Sequence, residues 1–470
     1  MKINSEIILE DFAAFKKTLG KFNEPQLVSF SFPLEQFDSI ILIDRFNDFF
    51  DDIFLLRNPG NRLTIIGLNS ALELTSNETV KFASISDNLN YWKKNFRKNL
   101  NELEFGTIPI IFCSVKFDPL KTSTLWNDFQ SMRFYVPEFI LSFQDNNVTG
   151  FFNFKWNENI DELSNTFSDY LKKIEGIQKN AIDRSEPEIN STLVSGKEEL
   201  RKWHTSFDKA LAILKAGEVE KLVLSRAYPF TINTQSNWSS LLNKLSRRFN
   251  DCYLFFIKRK GSIFFGSSPE MFLKVTGINA EVESVAGSAP RGERIETDHE
   301  FERVLQTSKK NHQEHLFVSD FISDILIRYS DKVRIIEEKQ IKKLDNIQHL
   351  ITRISAHLNS KNKLFELIDS LFPTPAVCGV PKELAMDSIR KIEPHDRGLY
   401  SGIVGIMDFN GNCELAVSIR SALVKENTVT AFAGAGLVKK SNAEDEFLET
   451  NLKLNTILSL FSNESKSKQK

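Results

Sequence analysis

Apolar positions along the chain form short runs that are separated by polar turns. Continuous or alternating apolar runs predict strands, and these come in antiparallel groups with helical patterns between the groups. Near the C-terminus, paired runs flank Asn410–Gly411 and Glu426–Asn427, which are typical of hairpin turns. This order of elements predicts an α+β fold rather than alternating βαβ units.

The predicted helices share apolar positions that recur with the helical period of about 3.6 residues. They are expected over 167–180, 197–217, about 297–329, 363–371, 382–392 and about 443–461. The polar stretch 183–199 has no such periodicity, so we interpret it as a linker. The charged tail after residue 462 is predicted to be disordered.

Composition excludes several classes of function. The 60 Lys and Arg residues nearly balance the 62 Asp and Glu residues, which leaves no basic field for nucleic acid. The four cysteines are far apart and form no C-x-x-C pair, which argues against zinc or disulfides and favours a reducing cytoplasm. The start has no signal-peptide pattern, and no apolar run approaches the roughly 18 residues that span a bilayer. We therefore expect a cytoplasmic protein that binds neither nucleic acid nor membrane.

The last predicted helix carries acidic and basic residues on one face. Glu446, Glu449 and Lys453 follow the spacing i, i+3 and i+7. Such a stripe is usually a solvated surface, but together with Glu314 on another predicted helix it offers three carboxylates. Mg²⁺ prefers oxygen ligands and binds through a few carboxylates plus an anionic substrate. The spacing alone leaves both alternatives open.

Two segments of small residues could bind an anion. The sequences AGSAPRG (286–292) and AFAGAGLV (431–438) are predicted to be turns after strands, where backbone N–H groups are exposed and glycine allows close approach. The alternative for each is an ordinary tight turn, and neither contains a nucleotide-binding glycine motif. Arg420 ends a predicted strand just before the second segment, where an arginine can bind a carboxylate through two hydrogen bonds.

Three further titratable residues have two interpretations each. Lys221 opens an apolar strand, where the side chain of a lysine usually extends to water. Glu270 follows a Ser-Ser-Pro turn between apolar runs, so it is either a partly buried acid with a raised pKa or a residue at a helix N-terminus. His349 lies among apolar residues, where a lone histidine is usually part of the core.

The segment LFPTPAVCGVPK (371–382) contains three prolines between two predicted helices. Proline prevents helix formation and removes a backbone donor, so we expect a stiff loop there. A loop this stiff is not needed merely to connect two helices, so we expect it to hold another group in place. Ala376 occupies its centre.

These segments occur in the order KLVLSR, GSSPE, AGSAPRG, QEH, FPTPAVCGVPK, SGIVGIMDFNG, SIRSALV, FAGAGLV and EFLETNLKLNTIL. In that order they resemble the chorismate-utilising enzyme family, which includes isochorismate synthases, salicylate synthases and the large components of anthranilate and aminodeoxychorismate synthases. The resemblance covers about residues 200–462. It implies the anthranilate synthase component I-like fold, in which two antiparallel sheets are flanked by helices and the active site lies between the sheets. Residues 195–465 would then be the chorismate-binding catalytic domain, 1–190 a divergent N-terminal part of the same fold, and 463–470 a tail.

The resemblance also implies a site for Mg²⁺ and for chorismate, which is a dicarboxylate. Glu314 and Glu449 correspond to the family's metal glutamates, and Glu446 lies close by and would act through water. The substrate would be held by residues that match the other motifs, namely Ser288, His349, Ala376, Arg420, Gly434, Gly436 and Lys453. Many relatives carry an acid five residues before the metal glutamate of the EH motif. Here Lys309 occupies that position, so any help to Mg²⁺ from there is lost or replaced.

Two positions favour the isochorismate synthases within the family. In that reaction water adds at C2 while the C4 hydroxyl leaves, which needs a base and an acid. Lys221 resembles the family's base and Glu270 its acid, and a lysine acts as a base if a neutral pocket lowers its pKa. Members that add ammonia usually have glutamine at the Lys221 position and draw on a glutaminase, whose nucleophile motif this sequence lacks. Ala376 stands where pyruvate-eliminating members typically have threonine, so the reaction should stop at isochorismate.

The resemblance thus predicts a Mg²⁺-dependent isomerase that reversibly converts chorismate to isochorismate. Menaquinone biosynthesis is the favoured pathway because it is the more general need, and catechol siderophore biosynthesis is the alternative. A pyruvate-eliminating lyase of the same family and a non-catalytic binding protein are the rival hypotheses. We expect a monomer without a glutaminase subunit.

Overall fold

The structure is a computed structural model, and it describes residues 5–75, 82–99, 110–145, 147–156, 160–175, 189–192, 196–232 and 237–461. The predicted tail 463–470 and residues 183–188 of the predicted linker lie outside this part of the chain. Part of the predicted linker is a strand, because Ile189–Thr192 pairs with the end of a long strand that begins at Lys221. The linker prediction is therefore wrong for these residues, whose β-branched Ile189 and Thr192 suit an edge strand.

The helices carry apolar stripes that pack onto the sheets. They are α1 (Ser5–Thr18), α2 (Leu42–Phe49), α3 (Ala83–Lys94), α4 (Ile160–Glu175), α5 (Gly196–Ala216), α6 (Trp238–Arg248), α7 (Ile295–Thr307), α8 (Lys309–Tyr329), α9 (Leu364–Leu371), α10 (Lys382–Ile392) and α11 (Ala443–Leu458). The single helix predicted over 297–329 is two helices, because Ser308 has an extended backbone and its hydroxyl accepts the Asn311 N–H as the N-cap of α8. No helix in the described residues combines the length and the apolar character needed to cross a bilayer.

The strands build two sheets. They are β1 (Leu27–Leu34), β2 (Asp52–Arg57), β3 (Leu63–Leu68), β4 (Leu72–Glu73), β5 (Phe96–Lys98), β6 (Ile111–Val115), β7 (Met132–Val136), β8 (Phe139–Gln144), β9 (Asn147–Lys155), β10 (Ile189–Thr192), β11 (Lys221–Ile232), β12 (Tyr253–Arg259), β13 (Ser262–Ser268), β14 (Met271–Thr276), β15 (Asn279–Pro290), β16 (Ser330–Lys343), β17 (Ile347–Leu358), β18 (Gly379–Val380), β19 (Ile403–Met407), β20 (Cys413–Val417), β21 (Ser421–Lys425) and β22 (Thr428–Val438).

Strands from both ends of the chain contribute to each sheet. Within the described residues the larger sheet has the order β10-β11-β22-β21-β13-β12-β2-β3-β8-β9-β1-β5, with β18 paired to β11, and the smaller has the order β16-β17-β15-β14-β20-β19-β6-β7-β4. Neighbouring strands run antiparallel apart from the parallel pair β1 and β5. Apolar side chains fill the space between the sheets and beneath the helices. The α+β architecture with two antiparallel sheets flanked by helices is thus the one that the sequence predicts.

The two small-residue segments are strands where we expected turns. AFAGAGLV lies inside β22, where Gly434 and Gly436 face Ser225 and Val223 of β11 across the ladder. AGSAP ends β15, where the register shifts between Ala286 and Ser288 because Gly287 has a positive φ of 80°. The turn prediction is therefore wrong. Small residues are needed here because helices and side chains approach the strands closely.

The proline-rich loop is attached to β11. Its strand β18 pairs with the start of β11, where Val380 faces Lys221 and Gly379 faces Leu222. The Val223 N–H continues this pairing and donates to the Cys378 carbonyl at 2.7 Å. A Cβ on Gly379 would lie 2.2 Å from the Lys221 carbonyl oxygen, so only glycine permits this close approach. The loop and the lysine strand therefore form one unit.

Candidate functional site

A cavity lies between the two sheets, and most of the residues singled out from the sequence line it. They are Glu270, Ser288, Glu314, His349, Ala376, Arg420, Gly434, Gly436, Glu449 and Lys453. Lys221 and Glu446 are not part of the lining; Lys221 contacts the lining residue Glu314, and Glu446 contacts Lys310. The cavity volume of about 60 Å³ is below the roughly 300–1,000 Å³ of small-molecule pockets. A ring-sized substrate therefore needs side chains of the wall to move.

Lys221 and Glu314 form a buried ion pair. Lys221 opens β11 and is fully buried at 0% exposure, and its Nζ lies 3.1 Å from Oε1 of Glu314 on α8. The interpretation of Lys221 as a strand-end lysine that reaches water is thus wrong, and its pocket is not neutral because it contains a carboxylate. A Cβ on Gly436 would lie 2.0 Å from the same Glu314 oxygen. Glycine at this position leaves the space that the carboxylate occupies.

Glu270 is a buried carboxyl group that keeps its proton at neutral pH. Burial, with a second contribution from the neighbouring Glu283 carboxylate, raises the pKa of Glu270 to about 8. Glu283 itself forms ion pairs with Arg353 at 3.0 Å and with Lys342 at 3.4 Å. Glu270 does not start a helix, since the strand β14 follows it. The buried-acid interpretation therefore holds and the helix N-terminus interpretation is wrong.

His349 is a neutral imidazole held in one tautomer. The Arg420 Nη2 donates to His349 Nε2 at 2.9 Å, and because arginine has no acceptor atom this nitrogen must carry the lone pair. The proton is then on Nδ1, which lies 3.0 Å from the Ser288 hydroxyl oxygen and donates to it. Burial and the adjacent Arg420 charge hold the pKa of His349 well below its ordinary value. The histidine therefore offers no charge to the cavity and serves to orient its neighbours.

Arg420 lines the cavity and has a side-chain donor that no hydrogen bond among the described residues uses. It lies in the turn between β20 and β21 with a positive φ of 53°, and burial lowers its pKa to about 10. Its Nη1 is buried and has no hydrogen-bond partner within the described part of the chain. A buried N–H without a partner is costly, and a carboxylate would satisfy it through a strong charge-assisted hydrogen bond.

The acidic and basic stripe of α11 faces inward. Lys453 Nζ lies 2.6 Å from Glu449 Oε1 and donates to the Gly434 carbonyl at 2.8 Å. Burial opposes ionisation of Glu449, but the Lys453 ammonium holds the pKa of this carboxyl below its ordinary value. Glu446 is only 1% exposed. The solvated-surface interpretation of this stripe is therefore wrong.

Lys310 is a site residue that the sequence reasoning missed. Its ammonium contacts the carboxylate of Glu446, whose pKa is raised to about 7 by burial and by the nearby Glu449 carboxylate. The sequence analysis considered its neighbour Lys309, which is five residues before the glutamate of the EH motif but is exposed on α8. Lys310 stands four residues before Glu314 and so shares its helix face, which is the signal that could have identified it.

The donor set is compatible with Mg²⁺, although the glutamates contact lysines in this structure. Glu314 contacts Lys221, Glu446 contacts Lys310 and Glu449 contacts Lys453. Among the described residues, no group of at least three His, Cys, Asp or Glu side chains is arranged to hold a metal ion. Carboxylate oxygens are nevertheless the ligands that Mg²⁺ prefers. Binding of Mg²⁺ by these carboxylates would require that their lysine contacts are exchanged.

Aromatic and apolar residues complete the wall around Ala376. Tyr400 stacks on Phe432 with ring centroids 5.3 Å apart and an interplanar angle of 16°. The Tyr400 hydroxyl would be 3.1 Å from a Cβ on Gly434. Tyr400 and Phe432 both line the cavity and were not identified from the sequence, although Tyr400 directly precedes the SGIVGIMDFNG segment. They give the cavity a flat apolar side suited to a ring.

The chain is similar to known proteins along nearly its whole length. The family described as "Chorismate binding enzyme" matches residues 13–462. Isochorismate synthase MenF of Bacillus subtilis is 28% identical to this chain over 454 residues, which is 94% of this chain and 95% of that protein.

Two solved structures share the fold. MenF, the menaquinone-specific isochorismate synthase from Escherichia coli, has a TM-score of 0.75 at 20% identity. The match covers 96% of this chain and 99% of that protein chain. Anthranilate synthase component I from Streptococcus pneumoniae has a TM-score of 0.66 at 19% identity. The match covers 85% of this chain and 92% of that protein chain. These two structures confirm the predicted component I-like fold.

Proposed function

Since the chain belongs to the family of chorismate-binding enzymes, we propose that it is an isochorismate synthase that interconverts chorismate and isochorismate. The observation that supports this reaction most directly is Glu270, a buried carboxyl group with a pKa of about 8 on the wall of the cavity. A leaving hydroxyl needs such a proton donor at neutral pH. The full-length similarity to isochorismate synthase MenF of Bacillus subtilis favours the same reaction.

In the proposed reaction, Lys221 and Glu270 act as base and acid. Lys221 takes a proton from the water that forms the new C2–O bond, and both ring double bonds shift, from C1=C2 to C1=C6 and from C5=C6 to C4=C5. Glu270 gives its proton to the C4 oxygen as the C4–O bond breaks, so a second water leaves. One water is consumed and one is released, which makes the net reaction an isomerisation. Lys221 carries out this role after leaving its contact with Glu314.

The substrate would be bound by groups that already point into the cavity. The free Nη1 of Arg420 and the Lys453 ammonium are suited to the two carboxylates of chorismate. Ser288 and His349 fix the Arg420 side chain through their hydrogen bonds. Gly434 and Gly436 leave the space that the substrate and Glu314 require.

Mg²⁺ would be held by Glu314 and Glu449, with Glu446 nearby. When bound, the ion would neutralise a substrate carboxylate and hold it in place. The lysines that contact these glutamates would then be released to other partners. This assignment predicts that chelation removes both chorismate binding and turnover.

The proline loop would keep the reaction from going further. Loss of pyruvate from isochorismate breaks the ether C–O bond and moves one ring hydrogen to the enolpyruvyl methylene carbon, which leaves salicylate. Ala376 lines the cavity with a methyl group that cannot assist this step. We therefore propose that isochorismate is the final product.

Product analysis tests the proposed function. The protein is incubated with chorismate and Mg²⁺, without ammonia or glutamine, and the products are separated by chromatography. We expect isochorismate at an equilibrium ratio with no pyruvate, and no conversion after EDTA is added. Pyruvate with salicylate would identify a lyase instead. Binding of chorismate without any conversion would identify a non-catalytic binding protein.

We further propose that the enzyme is a monomer that works without a glutaminase subunit and supplies menaquinone biosynthesis. The similarity over nearly the whole chain to isochorismate synthase MenF of Bacillus subtilis supports the choice of pathway. Light scattering tests the monomer. Rescue of a menaquinone auxotroph that lacks isochorismate synthase tests the pathway, and rescue of catechol siderophore production alone would favour the alternative.

A further inference from the structure

A buried arginine connects the proline loop to the strand of Lys221. Arg397, which lies between α10 and β19, is 2% exposed. Its Nη1 donates to the Val377 carbonyl at 2.7 Å, and its Nη2 donates to the Val223 carbonyl at 2.8 Å. Val377 follows Ala376 directly, and Val223 is two residues after Lys221 on β11. One rigid, planar group thus sets the distance between the loop and the strand.

The arginine is itself held by an ion pair. Glu393 accepts from Arg397 Nη2 at 2.6 Å and from Arg397 Nε at 2.9 Å. The same Glu393 carboxylate accepts the Ser225 N–H of β11 at 2.7 Å, which ties the pair to the strand a second time. Four of the five N–H donors of Arg397 are thus used. A buried pair with this many hydrogen bonds is rigid, whereas removal of one partner leaves a costly unpaired charge.

The neighbouring His395 does not turn this cluster into a second catalytic site. His395 Nε2 lies 3.0 Å from the Ser225 hydroxyl and 3.8 Å from a Glu393 oxygen. A serine–histidine–acid triad requires the serine and the acid on opposite ring nitrogens, and here both face the same one. The cluster has a structural relation to the cavity rather than a chemistry of its own.

We propose that Arg397 is a positioning residue for the reaction, which fixes the loop with Ala376 against the strand with Lys221. The inference depends on the proposed function, because only then are these two elements the wall and the base of one active site. Arg397 does not line the cavity, and Val223, Ala376 and Val377 do. It therefore acts on the substrate through these residues, and a misplacement of about 1 Å costs up to 100-fold in rate.

The test compares Arg397→Lys with Arg390→Lys. Lysine at 397 keeps the charge but cannot reach both carbonyls and the carboxylate in one plane. Arg390 is a matched control because it lies on α10 and binds Asp118 through two hydrogen bonds, at 2.7 and 2.9 Å, away from the cavity. Both variants are assayed for isochorismate formation with Mg²⁺, and chorismate binding is measured by calorimetry.

For folded Arg397→Lys we expect kcat to fall about 10- to 100-fold while KM and the chorismate Kd change less than about threefold. Arg390→Lys should keep the kcat of the unaltered protein. A kcat of Arg397→Lys within twofold of that of the unaltered protein would overturn the inference. A fall in kcat that accompanies a lowered melting temperature to the same extent in both variants would overturn it as well. If the unaltered protein forms no isochorismate, the proposed function fails instead.

Glu393→Gln decides the question if Arg397→Lys does not fold. It keeps the size of the side chain and the two bonds from Arg397 to the carbonyls, but it removes the charge that holds the guanidinium. We expect a smaller fall in kcat with unchanged KM. An unchanged kcat in this variant would overturn the inference.

Discussion

At the scale of single residues, burial sets the protonation of the groups around the cavity. Glu270 is kept protonated and His349 is kept neutral because each lies where water cannot solvate its charged form. The acid thus has a proton to give near neutral pH, and the histidine carries no positive charge. These states follow from the position between the sheets and predict the dependence of the rate on pH.

The pKa of Glu270 predicts an upper limit to the pH range of activity. Its carboxyl group is protonated below pH 8 and loses the proton as pH rises through about 8, so kcat/KM for isochorismate formation should fall tenfold per unit above that value. Glu270→Gln should lower kcat by about 10²- to 10⁴-fold and remove this decline. The measurement is a pH–rate profile of both proteins between pH 6 and 10.

Glu283→Gln provides the control for this profile. Because the Glu283 charge is the second cause of the raised pKa of Glu270, its removal should move the decline to lower pH without abolishing activity. A decline that persists unchanged in Glu270→Gln would show that another group is the acid.

Ala376 predicts the fate of isochorismate. In Ala376→Thr a hydroxyl replaces a hydrogen next to the ring, so we expect pyruvate to form together with salicylate. Ala376→Val has the same shape as the threonine variant without the hydroxyl, and it should produce no pyruvate above the background. A coupled lactate dehydrogenase assay measures pyruvate in both. Equal pyruvate from the two variants would mean that shape rather than the hydroxyl controls elimination.

Motifs in a fixed order identified residues that come together in the structure, whereas contacts that arise from packing were missed. All but Lys221 and Glu446 of the predicted residues line one cavity. The contact of Lys310 with Glu446 joins α8 to α11, and Arg397 joins a loop to a strand. Such pairings depend on how distant elements dock, which spacing along one element does not encode.

At the scale of elements, β22 shows why two glycines in one strand differ in importance. Neither Gly434 nor Gly436 has a positive φ, so a side chain is excluded by space and not by the backbone. A Cβ at 436 would collide with Glu314, whereas a Cβ at 434 would meet the Tyr400 hydroxyl at 3.1 Å. The strand therefore holds a strict position and a more tolerant one two residues apart.

Gly436→Ala should displace the Glu314 carboxylate and disturb Lys221, whose Cε would be 3.1 Å from the new atom. We expect turnover to fall about 100-fold and Mg²⁺-dependent chorismate binding to be lost in calorimetry. Gly434→Ala is the matched control, and we expect it to keep Mg²⁺-dependent binding with a smaller loss of turnover. Equal losses in both variants would contradict the role of Gly436 as the space for Glu314.

Element prediction failed where the chain uses strands outside a simple alternating pattern. The sequence analysis did not identify β16, whose residues are mostly exposed or half-buried because it lies at the edge of the smaller sheet. The break between α7 and α8 was missed because a serine cap interrupts apolar periodicity only briefly. In contrast, the hairpins around Asn410–Gly411 and Glu426–Asn427 were predicted, since their turns contain strong signals between apolar runs.

At the scale of the whole molecule, the two sheets depend on both ends of the chain. In the larger sheet β2 pairs with β12, and in the smaller sheet β6 pairs with β19. The family match begins at residue 13, so it includes the N-terminal part of the chain, whose described strands complete both sheets that enclose the site. Their strand patterns were visible in the sequence, but their pairing with later strands was not, because register across such distances is set by the assembled core.

Arg133 joins the two sheets and provides a test of this dependence. It lies on β7 of the smaller sheet and binds Asp52 on β2 of the larger sheet, at 2.6 and 2.9 Å, and Glu73 on β4 at 2.7 Å. Arg133→Met keeps most of the buried volume but leaves two carboxylates with fewer partners. We expect the free energy of unfolding to fall by about 3–5 kcal/mol, measured by urea unfolding followed by circular dichroism.

Arg248→Met is the control for this loss of stability. The Arg248–Asp345 pair is partly exposed, with side-chain exposures of 34% and 42%, so water and salt screen it. Its removal should change the free energy of unfolding by about 1 kcal/mol or less. If the free energy of unfolding fell equally in the two variants, the ion pairs of Arg133 would contribute no more than an exposed pair. The sheets would then be held together by their apolar core alone. A much larger loss of unfolding free energy in Arg133→Met would instead establish that the charge cluster between the sheets stabilises their packing around the active site.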